Sequence, residues 1–255
     1  MYVERIGHGR PLVLIHGWAM HGGVFAPLVE RLSADFELHV IDLPGHGRSL
    51  EDAHLDLDDC ARRIAEATPP AAWLGWSLGG LVALTGALRH PDSATSLVML
   101  SATPRFVAGD DWPDGVRPSL FSSFADGLRR DYRGTLEQFL ALEAFGSDHL
   151  RDELRALKQQ LFARGEPDPD VLVTGLRVLA ETDLRDRLPE LACRSLWLGG
   201  RRDRLVNWSA MEAAAAMCRN VETCRVDGAG HAPFLSHADE VAARIRASWT
   251  CIEAC

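Results

Sequence analysis

Residues 72–83, which read AWLGWSLGGLVA, constrain the fold more than any other stretch of the chain. An apolar run precedes Ser77 and a run of small and apolar residues follows it, as a buried strand and a packed helix require. Gly75 and Gly79 lie two residues either side of the serine, which matches the G-x-S-x-G pattern of a nucleophile at a sharp strand-to-helix turn. A helix that begins at the serine also directs its dipole at the reaction centre. We therefore predict that Ser77 is a nucleophile.

Similar apolar runs recur along the chain and alternate with segments of helical length. The predicted buried strands are residues 12–16, 38–42, 72–75, 96–101, 195–199 and 221–226. The predicted intervening or following helices are residues 24–33, 55–68, 78–90, 208–217 and 239–249. This alternation predicts an α/β fold with a mostly parallel central sheet flanked by helices.

The alternation stops between residues 105 and 188, where β-branched residues are few, prolines mark the edges and helical periodicity dominates. We predict a core formed by residues 1–104 and 189–255, with residues 105–188 inserted as a helical lid. The clearest lid helix spans residues 147–165, with Ser147 as its N-cap and Gly165 as its stop. One face of that helix carries a leucine stripe, formed by Leu150, Leu154, Leu157 and Leu161.

A serine nucleophile needs a histidine base and an acid that orients the histidine. Of ten histidines, only His231 follows the last predicted strand, in the glycine-rich turn at residues 228–231. The acid is expected at a strand end between Ser77 and His231 in chain order. We favour Asp203, which lies just past a strand. Asp227 is the alternative, although its closeness to His231 in sequence counts against it.

The negative charge that develops on an attacked carbonyl needs two main-chain N–H donors. The N–H of Leu78 qualifies by its position directly after the nucleophile. The turn that follows the first predicted strand, at His16 and Gly17, offers the N–H of Trp18 as the second donor. The alternative interpretation of this turn is that it only ends the strand.

Composition and charge restrict the class of protein further. A formal charge of −9 argues against a nucleic-acid partner, which would need a concentrated basic surface. No apolar stretch is long enough to span a membrane, and the N-terminus lacks a signal-peptide pattern, so we expect a cytoplasmic protein. Six cysteines without paired metal spacing are expected to be reduced thiols, although Cys251 and Cys255 near the C-terminus could form a bridge. We expect no cofactor, no metal and a monomer.

Taken together, these motifs resemble the α/β-hydrolase superfamily over roughly residues 10–249. The resemblance rests on the histidine-glycine turn at residues 16–18, the DLPGHGRS loop at 42–49, the motif around Ser77, Asp203, and the glycine-histidine pair at 230–231. It implies an α/β-hydrolase fold and a hydrolytic Ser77–His231–Asp203 triad.

A narrower resemblance is to the pimeloyl-[acyl-carrier protein] methyl ester carboxylesterases of biotin biosynthesis. It rests on the Trp18 turn, WLGWSLGGLVA, residues 139–142 (FLAL), residues 155–158 (RALK) and HAPFLSH at 231–237. It implies an acyl-carrier protein as the partner that bears the substrate. It also implies acyl-chain contacts at Trp18, Ser77, Leu78, Phe139, Leu140, Ala141, Leu142, Glu143 and His231. A carboxylate such as Glu143 is unfavourable beside an apolar chain unless it faces water.

The lid carries a basic ridge that an acidic carrier protein could contact. On a helical wheel, Arg151, Arg155 and Lys158 cluster beside the leucine stripe. The alternative is that Asp148 and Asp152, each three residues before an arginine, pair with Arg151 and Arg155.

Two other functions remain open from the sequence. A general short-chain carboxylesterase or carbon-carbon bond hydrolase would use the same triad, and a non-catalytic binding protein could retain the same fold.

Overall fold

The computed structural model describes residues 1–250, so Cys251 and Cys255 lie outside the described residues. Within that range the central sheet has seven strands in the order β1-β3-β2-β4-β5-β6-β7. The strand bounds are β1 (Tyr2–Gly7), β2 (Arg10–Ile15), β3 (Phe36–Asp42), β4 (Ala71–Trp76), β5 (Ala94–Leu100), β6 (Arg194–Gly200) and β7 (Val221–Val226). All neighbouring pairs are parallel except β1 with β3. The predicted α/β class is confirmed.

All six strands that the apolar runs predicted are present, and five of them differ from the prediction by one or two residues at an end. The seventh strand, β1, pairs with β3 at the edge of the sheet and was not predicted. Its residues are half-buried or exposed and include Glu4 and Arg5, so it lacks the continuous apolar run by which the buried strands were recognised.

Helices cover the sheet and carry mostly small or apolar side chains where they touch it. The core helices are α1 (Ala26–Leu32), α2 (Leu57–Ala67), α3 (Leu78–Arg89), α8 (Trp208–Ala215), α9 (Pro233–Ser236) and α10 (Ala238–Thr250). Helix α3 packs on β4 and β5 and buries ten of its twelve residues. That burial explains why its sequence is apolar all round. The packing fixes the start of α3, and therefore Ser77, at the end of β4.

Residues 105–188 add no strand to the central sheet and contain four α-helices. These are α4 (Ser119–Arg130), α5 (Tyr132–Ala144), α6 (Leu150–Leu161) and α7 (Pro169–Glu181). We call this segment the lid. Contacts of α4 with α5 and α7, and of α5 with α6, hold its helices together.

The capping prediction for the best lid helix was wrong. Helix α6 begins at Leu150, and its N-cap is His149, which makes no side-chain capping hydrogen bond. The Ser147 hydroxyl accepts the His149 N–H at 3.0 Å and bonds Oε1 of the buried Glu153 at 2.7 Å. The helix also ends at Leu161, four residues before Gly165, whose φ of +99° nevertheless marks a turn that favours glycine.

Of the leucine stripe on α6, Leu157 and Leu161 are buried, whereas Leu150 and Leu154 are half-buried.

In the part of the chain that the structure describes, no helix combines the length and the apolar character needed to cross a membrane.

Candidate active site

Ser77 occupies a strained turn between β4 and α3. Its φ of 55° and ψ of −120° are unusual for a residue with a side chain. The Ser77 N–H donates to the Leu100 carbonyl at 3.1 Å, which ties the turn to the end of β5. The strain is therefore maintained by the surrounding sheet and presents the hydroxyl at the carboxyl edge of the strands.

The glycines around Ser77 are required by close backbone contacts. A Cβ at Gly75 would lie 2.1 Å from the Gly79 carbonyl oxygen, and one at Gly79 would lie 2.2 Å from the Ile15 oxygen. A Cβ at Gly80 would meet the Ala102 Cβ at 2.2 Å. Each distance is shorter than any van der Waals contact, so the close packing of α3 against β2, β4 and the segment after β5 depends on these three positions.

The structure brings Ser77, His231 and Asp203 into one chain of hydrogen bonds. Nε2 of His231 lies 2.9 Å from the Ser77 Oγ, and Nδ1 lies 2.8 Å from Oδ2 of Asp203. The other oxygen of Asp203 accepts the main-chain N–H groups of Leu205 at 2.8 Å and Val206 at 2.9 Å. The carboxylate is thus oriented on both sides, and the imidazole links it to the hydroxyl.

The rival acid lies elsewhere. Asp227 is at the surface, with its carboxylate 3.6 Å from the Arg201 guanidinium and 3.8 Å from that of Arg225. His237 is half-buried and bonds the Ser236 hydroxyl at 2.8 Å, so it is engaged with its own loop.

Two groups that hold His231 were missed in the sequence analysis. The Trp76 indole N–H donates to the His231 carbonyl at 2.8 Å, and the His231 N–H donates to the Glu143 carbonyl at 3.2 Å. Trp76 immediately precedes the nucleophile. An indole N–H at that position was therefore the sequence feature from which this hydrogen bond could have been predicted. The Glu143 contact had no sequence signal, because it joins the lid to a loop far along the chain.

Trp18 and Leu78, the predicted oxyanion donors, both lie beside the nucleophile turn. A Cβ at Gly17 would lie 3.1 Å from that of Ser77, and Leu78 is the first residue of α3. No hydrogen bond within residues 1–250 engages either main-chain N–H. Both donors are therefore available to an oxyanion.

His16 orients the Trp18 turn as a neutral imidazole. Its Nδ1–H donates to the Gly17 carbonyl at 2.8 Å, and its Nε2 accepts the Leu43 N–H at 2.9 Å. Burial, with a smaller contribution from His46, lowers the pKa of His16 to about 3. The uncharged ring can therefore keep one nitrogen as donor and the other as acceptor at neutral pH.

The predicted acyl-contact residues of α5 divide between its two sides. The Phe139 ring packs against Trp18 with centroids 4.5 Å apart, and Leu140 is fully buried beside it. Leu142 is half-buried, whereas Ala141 lies on the exposed side of the helix. The structure therefore places Phe139 against the Trp18 turn, buries Leu140 and leaves Ala141 exposed.

Glu143 is fully buried and neither of its carboxyl oxygens has a hydrogen-bond partner within the described residues. Burial, reinforced by the nearby Asp203 and Glu153 carboxylates, raises the pKa of Glu143 well above its ordinary value. Its surroundings therefore favour the protonated, uncharged carboxyl over the carboxylate. The carboxyl does not face water, contrary to the expectation from the sequence. Burial is less costly for a protonated carboxyl than for a carboxylate, because the protonated group carries no charge.

The lid closes over the nucleophile. Ser77 exposes 2% of its surface, and His231 and Trp18 expose none. The Trp18 indole N–H donates to the Leu172 carbonyl of α7 at 2.8 Å, which connects the oxyanion turn to the lid. The nucleophile is therefore almost completely covered in this structure.

The basic ridge on α6 is mostly neutralised. Arg155 pairs with Asp152 at 3.0 Å, and Lys158 pairs with Glu137 at 2.6 Å. Arg151 has no carboxylate partner in the described range, because Asp148 bonds Arg202 instead. One of the two ion pairs suggested by sequence spacing therefore forms and the other does not.

Within residues 1–250, no group of three or more His, Cys, Asp or Glu side chains is arranged to hold a metal ion. The four cysteines in that range are free thiols. Burial raises the pKa of the Cys60 thiol to about 12, which makes it a poor nucleophile.

Comparisons with known proteins agree with this geometry. The profile of the alpha/beta hydrolase fold family matches residues 10–238. A protein from Xanthomonas oryzae pv. oryzae (strain MAFF 311018), named pimeloyl-[acyl-carrier protein] methyl ester esterase, is 57% identical over 242 residues, which cover 94% of this chain and 95% of the relative. A relative of the same name from Stenotrophomonas maltophilia (strain R551-3) is 54% identical over 247 residues, with 96% and 95% covered.

Solved structures show the same fold at lower sequence identity. The esterase EaEST from Exiguobacterium antarcticum superposes with a TM-score of 0.85 at 23% identity, over 96% of this chain and 94% of the esterase. A bromoperoxidase from Bacillus anthracis superposes with a TM-score of 0.87 at 22% identity, over 98% and 95%. These two likenesses concern the fold alone.

Proposed function

The chain belongs to the alpha/beta hydrolase fold family, and from this premise we propose that it hydrolyses the methyl ester of pimeloyl-[acyl-carrier protein] to pimeloyl-[acyl-carrier protein] and methanol. This makes it a serine carboxylesterase of biotin biosynthesis, as its resemblance to that family implies. The observation that carries the chemistry is the hydrogen-bond chain from Ser77 through His231 to Asp203. The near full-length relatives at 54–57% identity support the choice of substrate.

In the acylation half-reaction, Ser77 Oγ attacks the methyl-ester carbonyl carbon while His231 Nε2 takes the hydroxyl proton. Asp203 holds the imidazole in the required tautomer and stabilises the imidazolium that forms. The N–H groups of Leu78 and Trp18 donate to the oxyanion. When the carbon–methoxy bond breaks, His231 returns the proton to the methoxide oxygen, and methanol leaves an acyl-enzyme behind.

In the deacylation half-reaction, water replaces methanol. His231 takes a proton from the water as its oxygen attacks the acyl carbon, and the same two N–H groups hold the second oxyanion. The bond from the acyl carbon to Ser77 Oγ then breaks, with the proton passing from His231 to the serine. The product acid ionises on release, and the chemistry calls for neither a metal nor an organic cofactor.

The acyl chain would lie along α5 beside the Trp18 turn. Phe139, Leu140 and Leu142 supply apolar surface, and the protonated Glu143 adds no charge to it. Of the acyl contacts that the resemblance implied, Ala141 is the one for which the structure offers no support, since it faces the exposed side.

An acyl-carrier protein is the partner that bears the substrate, as in the names of the relatives. The α6 ridge of Arg151, Arg155 and Lys158 remains a proposed docking element. Arg155 and Lys158 have acidic partners, whereas Arg151 has none among residues 1–250. We further propose that the protein is a cytoplasmic monomer. The formal charge of −9 also argues against a nucleic-acid partner.

The deciding experiment offers the purified enzyme methyl pimeloyl-carrier protein, with methanol release and a gel shift of the carrier as readouts. The free methyl ester serves as the comparison substrate. Efficient cleavage on the carrier supports the proposal. Cleavage of simple esters alone would indicate a general short-chain carboxylesterase, and no cleavage together with no labelling by a fluorophosphonate would indicate a non-catalytic binding protein.

Ser77→Ala should lower turnover by at least about 10³-fold, because it removes the nucleophile and leaves only binding and oxyanion stabilisation. The Cβ and the backbone of the turn are retained, so circular dichroism and the melting temperature should change little. Loss of fluorophosphonate labelling in the same variant is the control for the site of reaction. A variant that keeps most of its esterase activity would refute the nucleophile assignment.

A further inference from the structure

The connection between lid helices α5 and α6, residues 145–149, runs beside the loop that carries His231. Just before the connection, the Glu143 carbonyl accepts the His231 N–H at 3.2 Å. Near its other end, the Asp148 N–H donates to the Gly228 carbonyl at 2.9 Å. Both hydrogen bonds join main-chain groups, so the course of the histidine loop follows the course of this connection. The position of the catalytic base therefore depends on how the connection is held.

Ser147 lies at the centre of this contact. A Cβ at Gly230, the residue directly before His231, would lie 3.3 Å from the Ser147 Cβ and 3.5 Å from the Ser147 main-chain nitrogen. Ser147 is itself buried, with 8% of its surface exposed. A displacement of Ser147 would therefore act on the main chain immediately before the base.

Glu153, in the first turn of α6, holds Ser147 in place. The Ser147 hydroxyl donates to Oε1 of Glu153 at 2.7 Å and accepts the His149 N–H at 3.0 Å. A hydroxyl has a single hydrogen to donate, so these two bonds fix its orientation. Glu153 exposes only 1% of its surface, which leaves water little access to compete for the Ser147 hydroxyl. The carboxyl thus fastens the α5–α6 connection to the lid helix that follows it.

A carboxyl is a costly choice for a buried position on a helix. The other buried side chains of α6 are apolar, Leu157 and Leu161. An apolar side chain at position 153 would fill the space without the cost of desolvating a carboxylate. Burial raises the pKa of Glu153, and the hydroxyls of Ser236 and Ser147 oppose that rise. Because Ser236 belongs to the segment that follows His231, the carboxyl has hydroxyl neighbours from both sides of the lid–loop contact. A hydrogen-bonding role accounts for this residue better than packing does.

We propose that Glu153 is a positioning residue for His231, which it fixes through Ser147 and the main chain of the α5–α6 connection. The carboxyl does not touch the reacting atoms. Its effect on the reaction is to keep the imidazole aligned between Ser77 and Asp203. This inference rests on the proposed function for the catalytic role of that triad, and not for the choice of substrate. The lid accordingly has a second task besides covering the nucleophile, because one of its helices helps to place the base.

Three variants test the role of the Glu153 carboxyl. Glu153→Met has a similar volume but no acceptor for the Ser147 hydroxyl, whereas Glu153→Gln keeps an acceptor oxygen. Glu181→Met is the matched control, because it makes the same substitution at an exposed position of lid helix α7. The readouts are kcat and KM for the small uncharged ester dimethyl pimelate. Titration of the active sites with a fluorophosphonate, run to completion, normalises kcat to the number of folded sites.

Glu153→Met should lower kcat by about tenfold or more and change KM by less than about threefold, because a misplaced base impairs the transition state rather than substrate binding. Glu153→Gln should retain kcat to within about threefold, and Glu181→Met to within about twofold. A purely structural role would instead lower the melting temperature and leave kcat per folded site unchanged.

Ser147→Ala breaks the same link without altering α6, and it serves if Glu153→Met does not fold. It should lower kcat about as much as Glu153→Met does, and the double variant should be no slower than the slower single variant. Unchanged kcat in Ser147→Ala or in Glu153→Met would overturn the proposal. So would a rise in KM at unchanged kcat, which would assign Glu153 to substrate binding. Equal loss of activity in Glu153→Gln and Glu153→Met would show that charge, and not the bond to Ser147, is what matters.

Failure of this proposal is distinguishable from failure of the proposed function. Hydrolysis of dimethyl pimelate and labelling by a fluorophosphonate require the triad but not the carrier protein. An enzyme that cleaves dimethyl pimelate but not methyl pimeloyl-carrier protein would refute the proposed substrate, while the loss of kcat in Glu153→Met would still support the positioning role. Conversely, cleavage of the carrier-bound ester with unchanged kcat in Glu153→Met would refute the positioning role alone.

Discussion

Glu143 illustrates how single residues behave in the buried region behind the reaction centre. Its carboxyl group has no hydrogen-bond partner among the described residues and shares its surroundings with Asp203 and Glu153. In the unfolded chain a glutamate ionises above a pH of about 4.3. The folded state retains a proton on Glu143 that the unfolded state has lost, so this residue makes folding less favourable as pH rises from that value towards its raised pKa.

Glu143→Gln should therefore stabilise the protein at neutral and higher pH. The amide is neutral in both states, so the unfolding free energy at pH 8 should rise by about 1–2 kcal/mol, and the gain should vanish near pH 4. Urea denaturation across this pH range measures the effect. Glu137→Gln, at an exposed ion pair with Lys158, is the control and should change stability by less than about 0.5 kcal/mol. A gain that is independent of pH would point to packing rather than to the proton.

At the scale of elements, the lid is tied to the core at the C-terminal end of α6. The Arg164 guanidinium bonds both oxygens of the fully buried Asp42 at 3.2 Å and reaches Glu4 at 3.1 Å. His21 Nε2–H donates to the Gln160 carbonyl at 2.8 Å, and its Nδ1 accepts the Gly23 N–H at 3.0 Å. These contacts link the C-terminal end of α6 and the residues after it to the loop after β2, the end of β3 and strand β1, so the lid position depends on them.

Arg164→Ala should loosen this end of the lid. Removing the guanidinium leaves the buried Asp42 carboxylate with only main-chain donors, which should lower the unfolding free energy by about 2–4 kcal/mol. Limited proteolysis should show faster cleavage between residues 160 and 168. Arg129→Ala removes an exposed pair with Asp126 and should have an effect below about 0.5 kcal/mol. Equal effects of the two substitutions would show that Arg164 does not fasten the lid.

For the whole molecule, the distribution of charge matters more than its sum. A protein with a formal charge of −9 repels an acidic carrier at long range, so productive encounters depend on local unpaired cations. The mixture of paired and unpaired arginines around the lid supplies such a local field. This explains how an acidic enzyme and an acidic partner could associate without a strongly basic face.

Ionic strength should therefore affect the two substrates differently. At about 0.15 M salt the long-range repulsion is already largely screened. Raising the concentration to about 0.5 M also shortens the range of the local cation–anion attraction, so KM for the carrier-bound ester should rise several-fold. Hydrolysis of an uncharged small ester, dimethyl pimelate, should change little. Steady-state kinetics on both substrates at matched pH provide the measurement, and an equal response of both would argue against electrostatic docking.

Local sequence patterns determined much of the fold and of the candidate site. Apolar runs predicted six of the seven strands. Segments of helical length predicted helices between them, and the glycines around Ser77 predicted the turn. Asp203 and His231 were identifiable because each follows a predicted strand, and the carboxyl ends of parallel strands meet at one edge of a sheet. Edge strand β1 was not identifiable in this way, because its half-exposed residues carry no continuous apolar signal.

Only the tertiary structure decided the contacts between residues that are distant in sequence. Helical spacing placed Asp148 beside Arg151, but folding brings Arg202 to Asp148 and leaves Arg151 without a carboxylate partner in the described part of the chain. The burial of Glu143 and the Trp76 bond to the His231 loop likewise depend on how the lid and loops pack. Burial and ion pairing are set by neighbours in space, whereas periodicity and turn chemistry act between neighbours in the chain, and sequence patterns report only the latter.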